Sequence, residues 1–591
     1  MITPMKTHTA RLFLVAAVAA IIVLFAACGA PPKPAANLPG AKIEPHTNGK
    51  SGGKITYRLT APPSTLNYLM AKDEAGLTAS YFMLVSRLVE FDHSTQKFVP
   101  GLAESWTTND GQNYDVKLRD GLQFSDGHSL TADDVIFSLN AMLDDKVKSP
   151  AFGDAMKIDD KPITATKVDD THLKFVFPKP VAAAEPYLVN LGVLPMNVLG
   201  DDLKAGKLGE DWKIDSDPTK IVTSGPFIVS TSKPGERIEY ARNPHYYKKD
   251  DAGTQLPYLD NVTIIVVSDP NNTFAQLGQG TLDIGDRIRT NDFVELNKAN
   301  GQVKGYDAGP GLAIDHIFFN ENSVGPNGPL ENDVKRSWFT NKAFRNALAA
   351  AIDRDTISNV TLQGLATPLY GFVSPASKNW LKPDLPKIGY DLKTAEKMLT
   401  DAGFKKTGAA DAPVLQDASG NNVEFTLLVP AENEARKNMA AFIQQDLAKL
   451  GIKMNVVPLD FPSLTEKWTK TFDYDAALVG LSQTDIEPTS YSNFLQSTGS
   501  QHQWQPKEKQ PATDWEKRVD DLFDQVSTER DEAKRKAAFY EIQSIYRDEM
   551  PVIPLVARHI VTGANSKIGN YNPSPIIPYS LWNVEDLFLK Q

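Results

Sequence analysis

The chain has 591 residues, more than one hydrophobic core accommodates and enough for two or three lobes. Hydrophobic residues at 41% and charged residues at 23% are ordinary for a soluble globular protein, and beyond the start of the chain no apolar run reaches membrane-spanning length. A net charge of −11 without basic blocks argues against nucleic acid as the partner. The single cysteine, Cys28, rules out an internal disulfide and a Cys/His metal cluster around it.

At the start of the chain, Lys6 and Arg11 form a cationic head, followed by an unbroken apolar run from Leu12 to Ala27. An export signal has this build, with about 7–15 apolar residues, whereas a membrane anchor needs about 20. Residues 1–27 are therefore expected to be a signal peptide. Cys28 follows directly and resembles the lipobox cysteine of bacterial lipoproteins, which carries a diacylglyceryl group and becomes the mature N-terminus. Phe25 stands where that motif prefers leucine, with Leu24 one place early, which keeps plain secretion open as a second reading. Residues 28–52, rich in Pro, Ala, Gly and Asn, have no hydrophobic period and read as the lipidated end of a flexible tether.

Further along, Gly53–Leu59, Val262–Val267 and Val423–Val429 are short and β-branched, and predict strands. Helices are predicted over Lys342–Ile357, Leu392–Ala402 (capped by Asp391) and Ala431–Leu450. In the last of these, Ala440, Ile443, Leu447 and Leu450 form a stripe that ends at Gly451. A strand-like GIKMNVV, a further helix and Tyr474–Gly480 follow, a βαβ-like order that favours α/β lobes with mixed sheets. The charge-alternating run Asp514–Glu541 reads as a solvated helix face.

Between Gly101 and Phe137 the sequence GLAESWTTNDGQNYDVKLRDGLQFSDGHSLTADDVIF combines a turn at Asn109–Gly111, an alternating strand (Tyr114, Val116, Leu118) and a helix start capped by Thr131. As a whole it resembles the signature of the family 5 extracellular solute-binding proteins. Matching pieces follow in the family's order: Gly53–Asn67, Ser224-Gly225-Pro226-Phe227, Arg242–Tyr247, Phe339–Arg354 and Met550–Leu555. The resemblance implies the large, three-lobed form of the periplasmic-binding-protein fold. Lobe I would comprise residues 53–89, 216–305 and 536–591, lobe II residues 90–215 and lobe III residues 306–535. Solute would be enclosed between lobes I and III by hinge closure.

Peptide-binding members of that family hold the ligand's α-ammonium with an aspartate in a lobe III loop. Counted back from Glu487-Pro488, that position falls on Thr484, with Asp485 beside it. Adjacent side chains of an extended loop point in opposite directions. Either the loop turns Asp485 inward, or this chain does not clamp an α-ammonium in the usual way. A family tryptophan is also missing near Leu481. Trp380, Tyr370, Trp504 and Tyr491 are candidates to line the cavity, since pockets favour aromatic rings, although each would serve equally in a core. Arg345, on a helix, is expected to pair with an acid at a lobe surface.

No catalytic constellation emerges. Asn48-Gly49-Lys50-Ser51 has Glu44 where a phosphate loop needs its first glycine, and Gly480–Thr484 lacks the closing glycine of a nucleophile elbow. The nine histidines form no His-Glu-x-x-His, although His316 or His502 would be available to a metal-chelate ligand. No cofactor and no resident metal are expected.

The expectation is thus the substrate-binding component of an ABC importer. It would be a monomer, lipid-anchored to the cell envelope, handing peptides or peptide-like solutes to a permease and ATPase complex. The same fold binding a metal chelate, a sugar or another small molecule, or acting as a sensor or chaperone, is the alternative, because fold does not fix function. A secreted hydrolase is the least favoured reading.

Overall fold

Lys54–Leu59 is a strand whose Ile55, Tyr57 and Leu59 are buried, and it is the first of eleven strands in one long mixed sheet. The computed structural model that contains it describes residues 40–590 apart from 300, 326, 327, 330–332, 484 and 507. The signal peptide expected over 1–27, Cys28 and the first part of the tether lie outside the described residues.

From one edge, the sheet runs Phe227–Lys233, Arg237–Arg242, Asn261–Val266, Lys54–Leu59 and Ile284–Gly285. It continues through Val552–Asn565, Val303–Phe319, Ala476–Leu481, Glu424–Pro430 and Lys453–Leu459, with Ala366–Pro368 also paired to Val552–Asn565. The α/β class with mixed pairing is as expected: Lys54–Leu59 is parallel to Asn261–Val266, and Arg237–Arg242 is antiparallel to it. The βαβ unit is present as well. Glu424–Pro430 and Lys453–Leu459 are parallel, joined through the helix Glu434–Lys449. That helix starts where the Asn433 side chain accepts the Arg436 N–H, and it buries Ala440, Ile443 and Leu447. Gly451, at φ +83, then turns the chain as few other residues would.

Two long strands span both halves of the sheet. Val303–Phe319 and Val552–Asn565 pair antiparallel from Val303↔Asn565 to Asp307↔Val561, and again from Ile314↔Ala557 to Phe318↔Val552. Between these stretches the register shifts on both sides of Pro310, which has no N–H to give, next to Gly309 at φ +90. The pairing is therefore unbroken from Val303 to Asp307, interrupted around Pro310, where only these two strands cross, and shifted once more between Asp315 and His316.

Beyond the crossing, period-2 alternation buries both faces. Ile317 and Phe319 enter a core with Phe344, Leu427 and Ile443, while Ile314 and Phe318 enter another with Trp504, Phe539 and Tyr546. On the other side of the crossing a single core joins Ile55, Tyr57 and Ile264 of the long sheet to Tyr114, Val116 and Phe175 of a separate four-stranded sheet. That second sheet is ordered Ala103–Thr107, Asn113–Leu118, His172–Val176, Thr164–Lys167. The segment leading into Phe227–Lys233 is pressed onto the chain at Leu84, because a Cβ on Gly225 would sit 2.5 Å from the Leu84 backbone. The fully buried Asn243 fastens the same corner, donating to the Gly225 carbonyl and accepting the His245 N–H.

Candidate functional site

A cavity of about 1110 Å³ lies between the four-stranded sheet unit and the far half of the long sheet. Alternation along Ala103–Thr107 and Asn113–Leu118 brings Trp106 and Tyr114 to one wall, and Trp380 stands in the other. Four cationic side chains (Lys97, Arg530, Arg535, Lys536) and four acidic ones (Glu185, Glu487, Asp531, Glu532) share the lining. Aromatic walls with balanced charges suit a zwitterionic, partly apolar solute.

The most enclosed of these charges form a pair. Arg535 Nη2 donates to Glu487 Oε2 at 2.7 Å, with side chains 7% and 9% exposed. Arg535 Nε donates to the Val526 carbonyl, and its guanidinium lies 4.8 Å from the Trp380 ring. Burial, helped by the nearby charges of Asp485 and Glu185, holds the Glu487 carboxyl above its usual range in spite of Arg535. Arg535 thus pins both Glu487 and the Trp380 face.

The cavity is bridged by a few bonds that join the two walls. In the turn after Val89–Asp92, Gln96 donates through Nε2 to the Ala376 carbonyl at 2.5 Å and accepts the Lys378 N–H at 3.1 Å. Its own carbonyl accepts Asn379 Nδ2 at 3.0 Å. Arg530 reaches the carbonyls of Asn109 and Thr108, and the Ala182 N–H reaches the Ser527 carbonyl. A small apolar cluster at the same seam brings together Phe91, Leu312, Ala376, Ile486 and Ile576, drawn from every part of the chain that meets there.

Asp485 is exposed, and its Oδ1 accepts the Glu487 N–H at 2.8 Å. It immediately precedes Ile486 of the seam cluster and bears electrostatically on Tyr491. Thr484 lies outside the described residues. Tyr491 is buried against Phe372 and Phe539, at 5.4 and 6.0 Å between ring centres. Burial, and then the Asp485 charge, push its hydroxyl well above the ordinary tyrosine range. Trp380 lines the cavity. Tyr370 is half-buried between Arg354 and Lys387 and is not among the cavity's lining residues. Trp504 is enclosed in the core, its indole N–H on Glu516 at 3.1 Å.

Arg345 is buried rather than at a surface, since it faces Glu321 at 3.1 Å and also donates to the carbonyls of Phe339, Glu549 and Met550. His316 is buried against Gln503, and burial lowers its pKa. Among the described residues, His502 is the histidine that falls in a group of three metal-ligating side chains, with Glu508 and Glu516, away from this cavity. Sequence reasoning had not picked out Gln96, Trp106, Arg530 or the Glu487–Arg535 pair. Glu487 serves in the sequence only as a landmark for counting, and nothing there ties it to a residue 48 positions on.

Comparison with known proteins places the geometry in a wider setting. The model of the bacterial extracellular solute-binding proteins, family 5, matches residues 97–503. The chain is 31% identical to a probable ABC transporter-binding protein of Deinococcus radiodurans, over 86% of this chain and 87% of that protein. It is 29% identical to the oligopeptide-binding protein AppA of Bacillus subtilis, over 76% of this chain and 77% of that protein. The crystal structure of that AppA with a nonapeptide superposes with a TM-score of 0.65 at 26% identity, covering 92% of this chain and all of that one. The substrate-binding protein CtaP of Listeria monocytogenes superposes at a TM-score of 0.73 and 23% identity, again over 92% of this chain and all of CtaP, a likeness of fold.

Proposed function

The chain belongs to the bacterial extracellular solute-binding proteins of family 5, and from that membership we propose that it captures a peptide or peptide-like solute in the cleft and delivers it to the membrane permease of an ABC importer. The role needs closure and docking, with no catalytic step. The observation that carries it is the cleft itself, with Trp106 and Tyr114 on one wall, Trp380 on the other and balanced charges between them; on the lobe division below it opens between lobes II and III rather than between lobes I and III as expected from the sequence. Relatives named as oligopeptide- and dipeptide-binding proteins support the solute class.

In this reading residues 53–89, 216–305 and 536–591 make lobe I, 90–215 lobe II and 306–535 lobe III. One adjustment follows from packing: the helix Glu532–Glu549 is counted with lobe III, because its Phe539 and Tyr546 pack on Phe372. The hinge is assigned to the register breaks around Pro310, where two strands alone connect the sheet's halves. Trp380 and Asp485 are the proposed solute contacts, Trp380 by its place in the wall and Asp485 by its place beside Ile486. Tyr491 is proposed to support the loop from behind. Thr484 is assigned no contact of its own, and Tyr370 and Trp504 are assigned packing roles. Export, with Cys28 carrying lipid to anchor a monomer at the cell envelope, completes the proposal.

Calorimetry with matched peptides tests the solute contact. Asp485 is exposed and outside the cavity's lining in this structure, so the proposal requires lobe closure to bury it against the ammonium; Asp485→Asn is then expected to weaken binding of free-amine peptides by more than about a hundredfold, since a buried ammonium left without its partner costs about 3 kcal/mol or more. N-acetylated peptides are expected to bind the variant and the wild type alike. Equal binding of free-amine peptides by both proteins would discard the clamp and favour a solute without a free amine.

A further inference from the structure

Between the short helix Ser492–Leu495 and the helix Asp514–Thr528 none of the described residues is helical or in a strand, yet Ser497, His502, Gln503 and Trp504 are buried. His502 is fully enclosed there, its ring 4.0 Å from that of Trp504. Its Nε2 lies 3.2 Å from Glu516 Oε1 and 3.6 Å from Glu508 Oε2. Glu516 is held rigidly: one oxygen accepts Thr513 N, Thr513 Oγ1 and Ala512 N, and the other accepts the Trp504 indole N–H.

Glu508 is the anomaly. Its side chain is only 5% exposed, and neither carboxylate oxygen has a hydrogen-bond partner; His502 Nδ1 has none either. A buried carboxylate without a donor is costly.

We infer that His502, Glu508 and Glu516 form a binding site for a divalent transition-metal ion of the zinc type, inside lobe III and separate from the solute cleft. The three ligand atoms lie within 4.8 Å of one another. Tetrahedral coordination with bonds of about 2.0–2.2 Å sets ligand atoms roughly 3.3–3.6 Å apart. The two separations from His502 Nε2 match that edge, so a modest movement of Glu508 completes the face. An imidazole nitrogen with carboxylate oxygens selects zinc-like ions over magnesium or calcium. Two carboxylates neutralise the charge, and a fourth position is left for water. The hydrogen bonds to Glu516 are the outer layer that orients a ligand. Bound there, the ion clasps the irregular segment to the first turn of the following helix.

The test uses the full chain, stripped with a chelator and titrated with Zn²⁺. Native mass spectrometry counts the ions and thermal melting reads the clasp. One zinc retained per chain with a raised melting temperature is the expected result. Glu508→Gln keeps the side-chain shape and removes the unpartnered charge, so it should fold, yet bind zinc about a hundredfold more weakly and lose the thermal shift. His502→Gln should do the same. Failure of the wild type to retain zinc, or zinc retention by Glu508→Gln equal to wild type, overturns the site. Because the ion sits outside the cleft, peptide binding by the wild type does not bear on either outcome.

Discussion

At the end of the long sheet built around Lys54–Leu59, the buried Asp286 is held by neutral groups, Tyr57 OH at 2.7 Å and the hydroxyl and N–H of Ser580. At the other end the buried Glu487 is held by a guanidinium. Across the seam between the walls, by contrast, the bonds run from Gln96, Arg530 and Ala182 to backbone carbonyls and amides. Strongly coupled groups thus sit inside each body, and exchangeable ones sit between bodies. A protein that must close on solute and reopen needs this arrangement, because a seam of backbone-directed bonds is cheap to break and water replaces it.

Breaking the pair inside the far half should have the largest effect. Arg535→Met strands Glu487 and frees Trp380, with an expected loss of about 3–5 kcal/mol in denaturant unfolding. The double variant Glu487→Gln/Arg535→Met should recover much of it; a single variant as stable as wild type would mean the pair carries no weight.

Next comes Asp286, hydrogen-bonded by neutral groups and touched by the Arg287 charge only at longer range. Burial raises the Asp286 pKa to about 6 despite its hydrogen bonds, so between about pH 4 and 6 the folded chain binds more protons at this group than the unfolded one. This group's contribution is therefore fully present below the unfolded pKa and declines as pH rises to about 6. The slope is at most about 1.4 kcal/mol per pH unit. Stability curves of wild type and Asp286→Asn should differ by that slope in that window and run parallel above it; parallel curves throughout would contradict the assignment.

The smallest effect belongs to the seam. Gln96→Ala removes two side-chain bonds across the cleft, each about 0.5–1.5 kcal/mol net. Solute affinity should fall by about 5- to 100-fold with unfolding stability barely changed. A loss of stability without a loss of affinity would place Gln96 in the scaffold instead.

Local elements were readable because their causes are local. Asp391 caps Leu392–Asp401 by accepting the N–H groups of Lys393 and Thr394, and the stripe of Glu434–Lys449 is buried as its spacing requires. The helix foreseen over Lys342–Ile357 instead stops at Ala351, and a new turn starts where Asp353 accepts the Thr356 N–H, a break that no Pro or Gly announces. The run Asp514–Glu541 is two helices, with Asp531 capping the second, and it buries Glu516 and Arg535 rather than only facing solvent. Site residues were harder to foresee for a physical reason. Trp504 and Tyr491 lie in stretches without a period, where an aromatic ring in a core and one in a cleft look alike. Gln96 contacts backbone some 280 residues away, and a backbone partner leaves no trace in side-chain chemistry.

Small-angle scattering of the purified chain, emptied of solute and then saturated with the peptide that calorimetry selects, tests capture by lobe closure most directly. Rigid-body closure about the crossing strands predicts a smaller radius of gyration on saturation, with the far-ultraviolet circular dichroism unchanged. An unchanged radius of gyration at saturating peptide would contradict it.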